Sequence, residues 1–173
     1  MRYRNRFVFS ASIVLVAVMA AVAIYFLFFD SGAPRDAWEA SLALSLPCGV
    51  IWVLIRIGIT PSVEWDDVEV KVCDPFFVYR AGLDKVRLLG REGRGGAFEL
   101  DGIGVVVPWS MTRSIFDGKR ANRARRDLRH AVLRAPESMD ADAAIPATRT
   151  LRYGWFDTLV VPLLSAFVWA FLP

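Results

Sequence analysis

The sequence predicts a membrane-anchored chain: transmembrane helices joined to one small antiparallel β domain that is capped by an amphipathic helix. Three observations lead there. Hydrophobic residues make up 55% of the 173, above the 45–50% usual for a soluble domain, and the mean hydropathy is +0.38. The excess is concentrated in two N-terminal stretches and one at the C-terminus. Between them lies a segment as charged as a soluble protein, with short alternating apolar runs and glycine-containing turns.

The first stretch, 7–29, is an unbroken apolar run of about 23 residues, long enough for a helix to cross a hydrocarbon core about 30 Å thick. Arg2, Arg4 and Arg6 precede it and Asp30 closes it. Signal-peptide cores run to about 7–15 residues. This one is longer and ends in Tyr25-Phe26-Leu27-Phe28-Phe29, so it reads as an uncleaved anchor despite Ala20, Ala21 and Ala23. After a polar turn at 30–36, a second span is expected at about 38–59. Trp38 is placed for the interface, and Glu39 for the positive end of the helix dipole. Pro47 is tolerable in a membrane helix. Arg56 is expected to snorkel to the headgroups, and Pro61 to end the helix.

The third stretch, 154–173, is apolar except near its start, where Asp157 is expected to stay hydrated at the interface. It is predicted to span as well. The distribution of Lys and Arg then sets the topology. Arg2, Arg4 and Arg6 hold the N-terminus in the cytoplasm, and the first loop is acidic (Asp30, Asp36, Glu39). Arg149 and Arg152 flank the third span on the cytoplasmic side, which leaves the C-terminus outside. A multi-pass protein of the cell membrane follows, with residues 1–60 as anchor, 61–136 as cytoplasmic domain and 137–153 as linker.

Within 61–136, Val68, Val70 and Val72 alternate with Glu69 and Lys71, the two-residue period of a half-buried strand, after a turn at Asp66-Asp67. Cys73-Asp74-Pro75 breaks the pattern. Phe76 to Arg80, Val86 to Leu89, Ala97 to Leu100 and Ile103 to Val107 continue as short strands, the last two joined by a two-residue Asp101-Gly102 hairpin turn. The order of short strands predicts a sheet, sandwich or barrel. From 119 to 135, Ala121, Ala124, Leu128, Ala131, Val132 and Ala135 recur at helical spacing and make one apolar stripe. Lys119, Arg120, Arg123, Arg126 and Arg134 occupy the opposite face, with Arg125 and Arg129 beside them. Residues 137–148, rich in Ala, Asp and Pro, read as a flexible linker.

The stretch from Pro61 to Val132 resembles the PH-like domains of bacterial, and particularly actinobacterial, membrane proteins. The resemblance is carried by "VEVKVCDPFFVYRAGLDKVRLL", a strand, an Asx-Pro turn and a further strand. It continues in "FELDGIGVVVPWSMTRSIFDGKRANRARR", with its Asp-Gly turn and its Trp and Ser before a basic helix. It implies a PH-like β-sandwich or half-barrel closed by a C-terminal helix, and no enzymatic activity. The short domain and the third hydrophobic stretch depart from that pattern.

The residues that point to function are basic. Lys119, Arg120, Arg123, Arg126 and Arg134 are suited to anionic headgroups, each worth about 1 kcal/mol near a membrane surface, or to an acidic partner. A solvated helix face is the bland alternative. Arg91 and Arg94, in the loop Gly90–Gly96, join the candidate set. That loop lacks the Gly-Lys-Ser/Thr ending of a phosphate-cradling P-loop. The acidic stretch Glu64-Trp65-Asp66-Asp67, where eukaryotic PH domains carry a basic hairpin loop, argues against phosphoinositide recognition. No aromatic or base-reading pattern accompanies the charge, so nucleic acid is not expected. His130 has no ligand-spaced partners, Cys48 and Cys73 read as free thiols, and no Gly-x-Ser-x-Gly elbow is present. No enzyme, cofactor, metal or small-molecule substrate is expected. The sequence predicts a membrane-anchored interaction module working through protein or anionic-lipid contacts. An accessory subunit of a transport or envelope-synthesis complex, bound through its spans, is the alternative.

Overall fold

The computed structural model describes residues 1–29, 36–89, 97–111, 118–138 and 145–171. Contacts divide the chain into two units. One holds Met1–Phe7 with Thr60–Arg152, and the other Val8–Ile59 with Tyr153–Pro173.

The first unit is the β domain. Strands β1 (Arg2–Tyr3), β2 (Ser62–Trp65), β3 (Glu69–Cys73) and β4 (Phe77–Gly82) are joined by β8 (Thr148–Leu151) in one antiparallel sheet of order β1-β2-β3-β4-β8. A second antiparallel sheet contains β5 (Val86–Leu88), β6 (Phe98–Leu100) and β7 (Gly104–Val106). The β2–β3 register pairs Val63 with Val72 and Trp65 with Val70. These side chains point inward, while Glu64, Glu69 and Lys71 are only half-buried, as the alternating pattern predicts. Phe98, Leu100, Leu83 and Met111 complete the core with Val106 and Tyr3. Helix α3 (Gly118–Ser138) lays Ala121, Ala124, Leu128 and Ala135 on it, matching the stripe read from the sequence.

The domain is wider than 61–136. Residues 148–151, expected in a linker, pair with β4 from Phe77↔Leu151 to Arg80↔Thr148. All four are exposed, so the strand forms through backbone hydrogen bonds at a sheet edge and leaves no hydrophobic alternation to detect. β1 lies inside the basic stretch read as a flank of the first span. It pairs with β2, and Tyr3 is buried in the core. The β6–β7 turn also differs. Leu100 pairs with Gly104, so three residues make the turn rather than two. Gly102 and Gly104 have φ of +83° and +100°, a backbone region that glycine enters without steric cost.

The second unit is helical. α1 (Arg6–Phe28) and α2 (Ala37–Leu54) are followed, after α2, by a π-helical turn Ile55–Ile59. Asp36 caps α2, its carboxylate accepting a hydrogen bond from the Glu39 amide at 2.8 Å, which satisfies one of the unpaired donors at a helix start. Among the described residues, Arg6–Phe28 and Ser41–Ile59 are long and apolar enough to cross a membrane. In the third apolar stretch a 3-10 turn, Trp155–Val160, leads directly into α4 (Val161–Phe171). Among the described residues its apolar helical part runs Trp155–Val168. α4 packs along α2, with Gly49 admitting Leu163.

Two charged residues of this unit sit otherwise than expected. Arg56 does not reach outward: it is buried, and its guanidinium lies 2.5 Å from Asp157 Oδ1. The Trp52 indole N–H donates to the same oxygen at 2.8 Å, and the Gly154 amide to Oδ2 at 2.8 Å. Phe156 lies under the guanidinium, 4.9 Å away. Asp157 is thus the partner of a buried cation rather than a solvated interfacial carboxylate. The reason is energetic, since a buried guanidinium requires a hydrogen-bonded counter-charge.

Candidate interaction surface

Helix α3 carries seven basic residues (Lys119, Arg120, Arg123, Arg125, Arg126, Arg129 and Arg134) against Asp127 and Glu137. Because the small apolar residues face the core, 3.6-residue periodicity turns the long basic ones outward. Lys119, Arg120, Arg123, Arg126 and Arg134 are all exposed, so the structure brings these five sequence candidates onto one helix. Arg91 and Arg94 lie outside the described residues. Arg125 does not belong to the outward set. It is half-buried and donates to the Met111 carbonyl, fastening α3 to the 3-10 turn Trp109–Met111.

The C-terminal half of α3 borders an open groove of about 990 Å³, lined by Asp127, His130 and Arg134 of the helix and by Trp65, Asp66 and Asp67 across from it. The acidic tip predicted to repel phosphate therefore lines the same groove as Arg134 and His130. Glu64 is not part of that tip. It lies in β2, where its carboxylate meets Arg2 Nε at 3.0 Å. The tip itself is ordered by Asp66, whose Oδ1 accepts from the amides of Glu69 at 2.7 Å and Val68 at 2.8 Å. Those two bonds hold the Asp66 carboxyl below the usual carboxylate range. Sequence reading found the acidic pair but not its position beside α3, which depends on contacts distant in sequence. The carboxylates offset positive charge at this end, so Lys119, Arg120, Arg123 and Arg126 form the less compensated part of the basic face. Among the described residues, no group of His, Cys, Asp or Glu is placed to hold a metal ion.

The other end of the domain is built around Asp74. Its carboxylate accepts from the Trp109 amide at 2.9 Å, joining the β3–β4 turn to the 3-10 turn, and burial pushes its carboxyl above the ordinary value. Arg152 crosses between strands there. Its amide donates to the Phe76 carbonyl at 2.9 Å and its guanidinium to the Thr60 carbonyl at 3.0 Å. Arg4 is close by, its pKa lowered by burial and by the charges of Arg2 and Arg152. The sequence showed Arg149 and Arg152 only as a topology signal. In the structure Arg149 stacks over the Phe77 ring at 3.8 Å, and Arg152 bridges two parts of the domain.

No known family, curated protein or solved structure matches this chain.

Proposed function

We propose that the protein is a membrane-anchored interaction module whose long apolar helices hold a PH-like β domain at the cytoplasmic face of the cell membrane. There the outward face of α3 contacts an anionic partner. The observation that carries this reading is the exposure of Lys119, Arg120, Arg123 and Arg126 together on one helix, which is fastened to a well-buried core by Ala121, Ala124 and Leu128. Two antiparallel sheets with α3 packed on their core support the PH-like assignment, β8 after the helix being an addition to that pattern. Arg2, Arg4 and Arg6 before α1, together with the positive-inside rule, support the cytoplasmic placement of the domain. The ligand chemistry is anionic, with lipid headgroups and acidic protein side chains as its two sources.

The test uses the full chain, because a 61–136 fragment would lack β1 and β8. Hydrogen exchange across 118–138 is measured in nanodiscs of zwitterionic and of anionic lipid. In parallel, partners are co-purified from native membranes with the wild type and with Lys119→Glu/Arg123→Glu/Arg126→Glu. Slower exchange in anionic discs that is relieved by salt identifies lipid. A partner retained by the wild type and lost by the charge-reversed chain identifies protein. If neither occurs, the basic face is only solvated and the reading fails.

A further inference from the structure

The end of the β domain where its chain leaves and re-enters carries apolar side chains that are about half exposed. Thr60 immediately follows Ile59, the last residue of the second long apolar helix. Arg152 is the last residue of the domain before the C-terminal helical segment. Hydrogen bonds link this point outward in sequence: Thr60 to Arg152, Arg152 to Phe76, and Asp74 of the same turn to Trp109. Phe76 and Trp109 are about half exposed, at 48% and 47%, and Val107 is 52% exposed. Val107 and Trp109 are exposed on either side of the fully buried Pro108, Trp109 opening the 3-10 turn Trp109–Met111. The opposite end of β2 is different in kind, since it finishes in the exposed carboxylates Asp66 and Asp67. Four residues of strand and their flanks separate that tip from Thr60, roughly 20 Å of extended chain.

We propose that Phe76, Val107 and Trp109 form a membrane-interface contact, the rings lying at headgroup depth in the bilayer that the long helices cross. This rests on the membrane-anchored reading, and it adds which end of the domain meets the lipid. Two arguments select lipid as the occupant. If Ser41–Ile59 crosses a bilayer, Thr60 lies within a residue of its boundary, and the hydrogen-bonded links leave Phe76 and Trp109 near that depth. The amphipathic Trp ring favours the interfacial layer, and Phe beside it inserts as an apolar side chain at the headgroup–acyl boundary, whereas the acidic tip at the far end is kept in water.

The test is a depth measurement in the reconstituted full chain. Spin labels are placed singly at Phe76→Cys, Val107→Cys and Trp109→Cys in a Cys48→Ser/Cys73→Ala background. Asp67→Cys reports the far tip and Val18→Cys the first apolar helix. Relaxation by oxygen is compared with relaxation by a water-soluble nickel chelate. The expected result is a severalfold higher oxygen-to-nickel ratio at 76, 107 and 109 than at 67, below the ratio at 18. Ratios at 76, 107 and 109 equal to that at 67, with 18 still immersed, overturn this inference and leave the anchor standing. An aqueous ratio at 18 overturns both. Three independent label sites keep the outcome readable if one variant fails to fold.

Discussion

The two units of this protein use side chains in opposite ways. In the β domain, Val63, Val70, Val72, Ala81 and Leu83 are completely buried, and the basic residues of α3 face outward. In the helical unit Val18, Phe26, Phe28 and Leu46 are exposed, while Ser12 and Arg56 are buried beside a few apolar residues such as Ile51 and Phe156. A protein unit that faces water hides apolar surface. One that faces hydrocarbon gains nothing by doing so and associates through small residues and satisfied polar groups instead. Gly58 shows the difference. A Cβ there would overlap the Ser12 side chain, so the close approach of two helix segments depends on the absence of a side chain.

The largest effect that would test the contrast is a core truncation. Phe98→Ala should cost about 3–5 kcal/mol, read as a lowered denaturant midpoint for the β domain. Phe26→Ala, at an exposed site of α1, should leave unfolding in detergent almost unchanged. Equal losses would break the comparison. Next comes the helical unit's own buried contact. Asp157→Ala should destabilise by about 3 kcal/mol, because it strips the carboxylate from a buried guanidinium. Arg56→Met/Asp157→Leu together should recover most of the thermal midpoint in detergent, and a loss under about 1 kcal/mol for the single variant would mean that Arg56 is solvated. Gly58→Ala should cost about 1–3 kcal/mol by overpacking, with partial recovery when Ser12→Gly is added. Independent, additive losses would show that these two residues do not meet.

The smallest effect concerns the acidic tip. Asp66→Ala removes two side-chain-to-backbone hydrogen bonds and should cost about 1 kcal/mol at neutral pH. The folded Asp66 carboxyl lies below its ordinary value, near 4 when unperturbed, so its contribution is present above about pH 4. It is lost as the pH falls through the depressed folded value. The gap between wild type and variant in urea midpoints should therefore close in acid, and a gap that widens there would contradict the assigned hydrogen bonds.

Local pattern reached some elements and not others. The alternation of Val70 and Val72 with Glu69 and Lys71 is a signal contained in four consecutive residues, and β3 forms over them. Val68, read into the same alternation, is exposed just before the strand. The stripe from Ala121 to Ala135 behaves likewise. β8 has four exposed residues and is held by the backbone of β4, so its evidence lies some seventy residues away. β1 is two residues long inside a basic run that also serves a helix flank. Arg56 and Asp157 are a hundred positions apart, and each alone looks like an interfacial charge.

Amino-acid order by itself determined the apolar stretches, the strand periods and the amphipathic face of α3, because each is a property of side chains a few residues apart. Tertiary structure alone decided three other things: that β1 and β8 complete the sheet, that Arg56 and Asp157 neutralise one another, and that Asp66, Asp67 and Arg134 share a groove. Each depends on burial and pairing between distant segments. Whether a charge is solvated or paired is set by what packs around it, which no local spacing records.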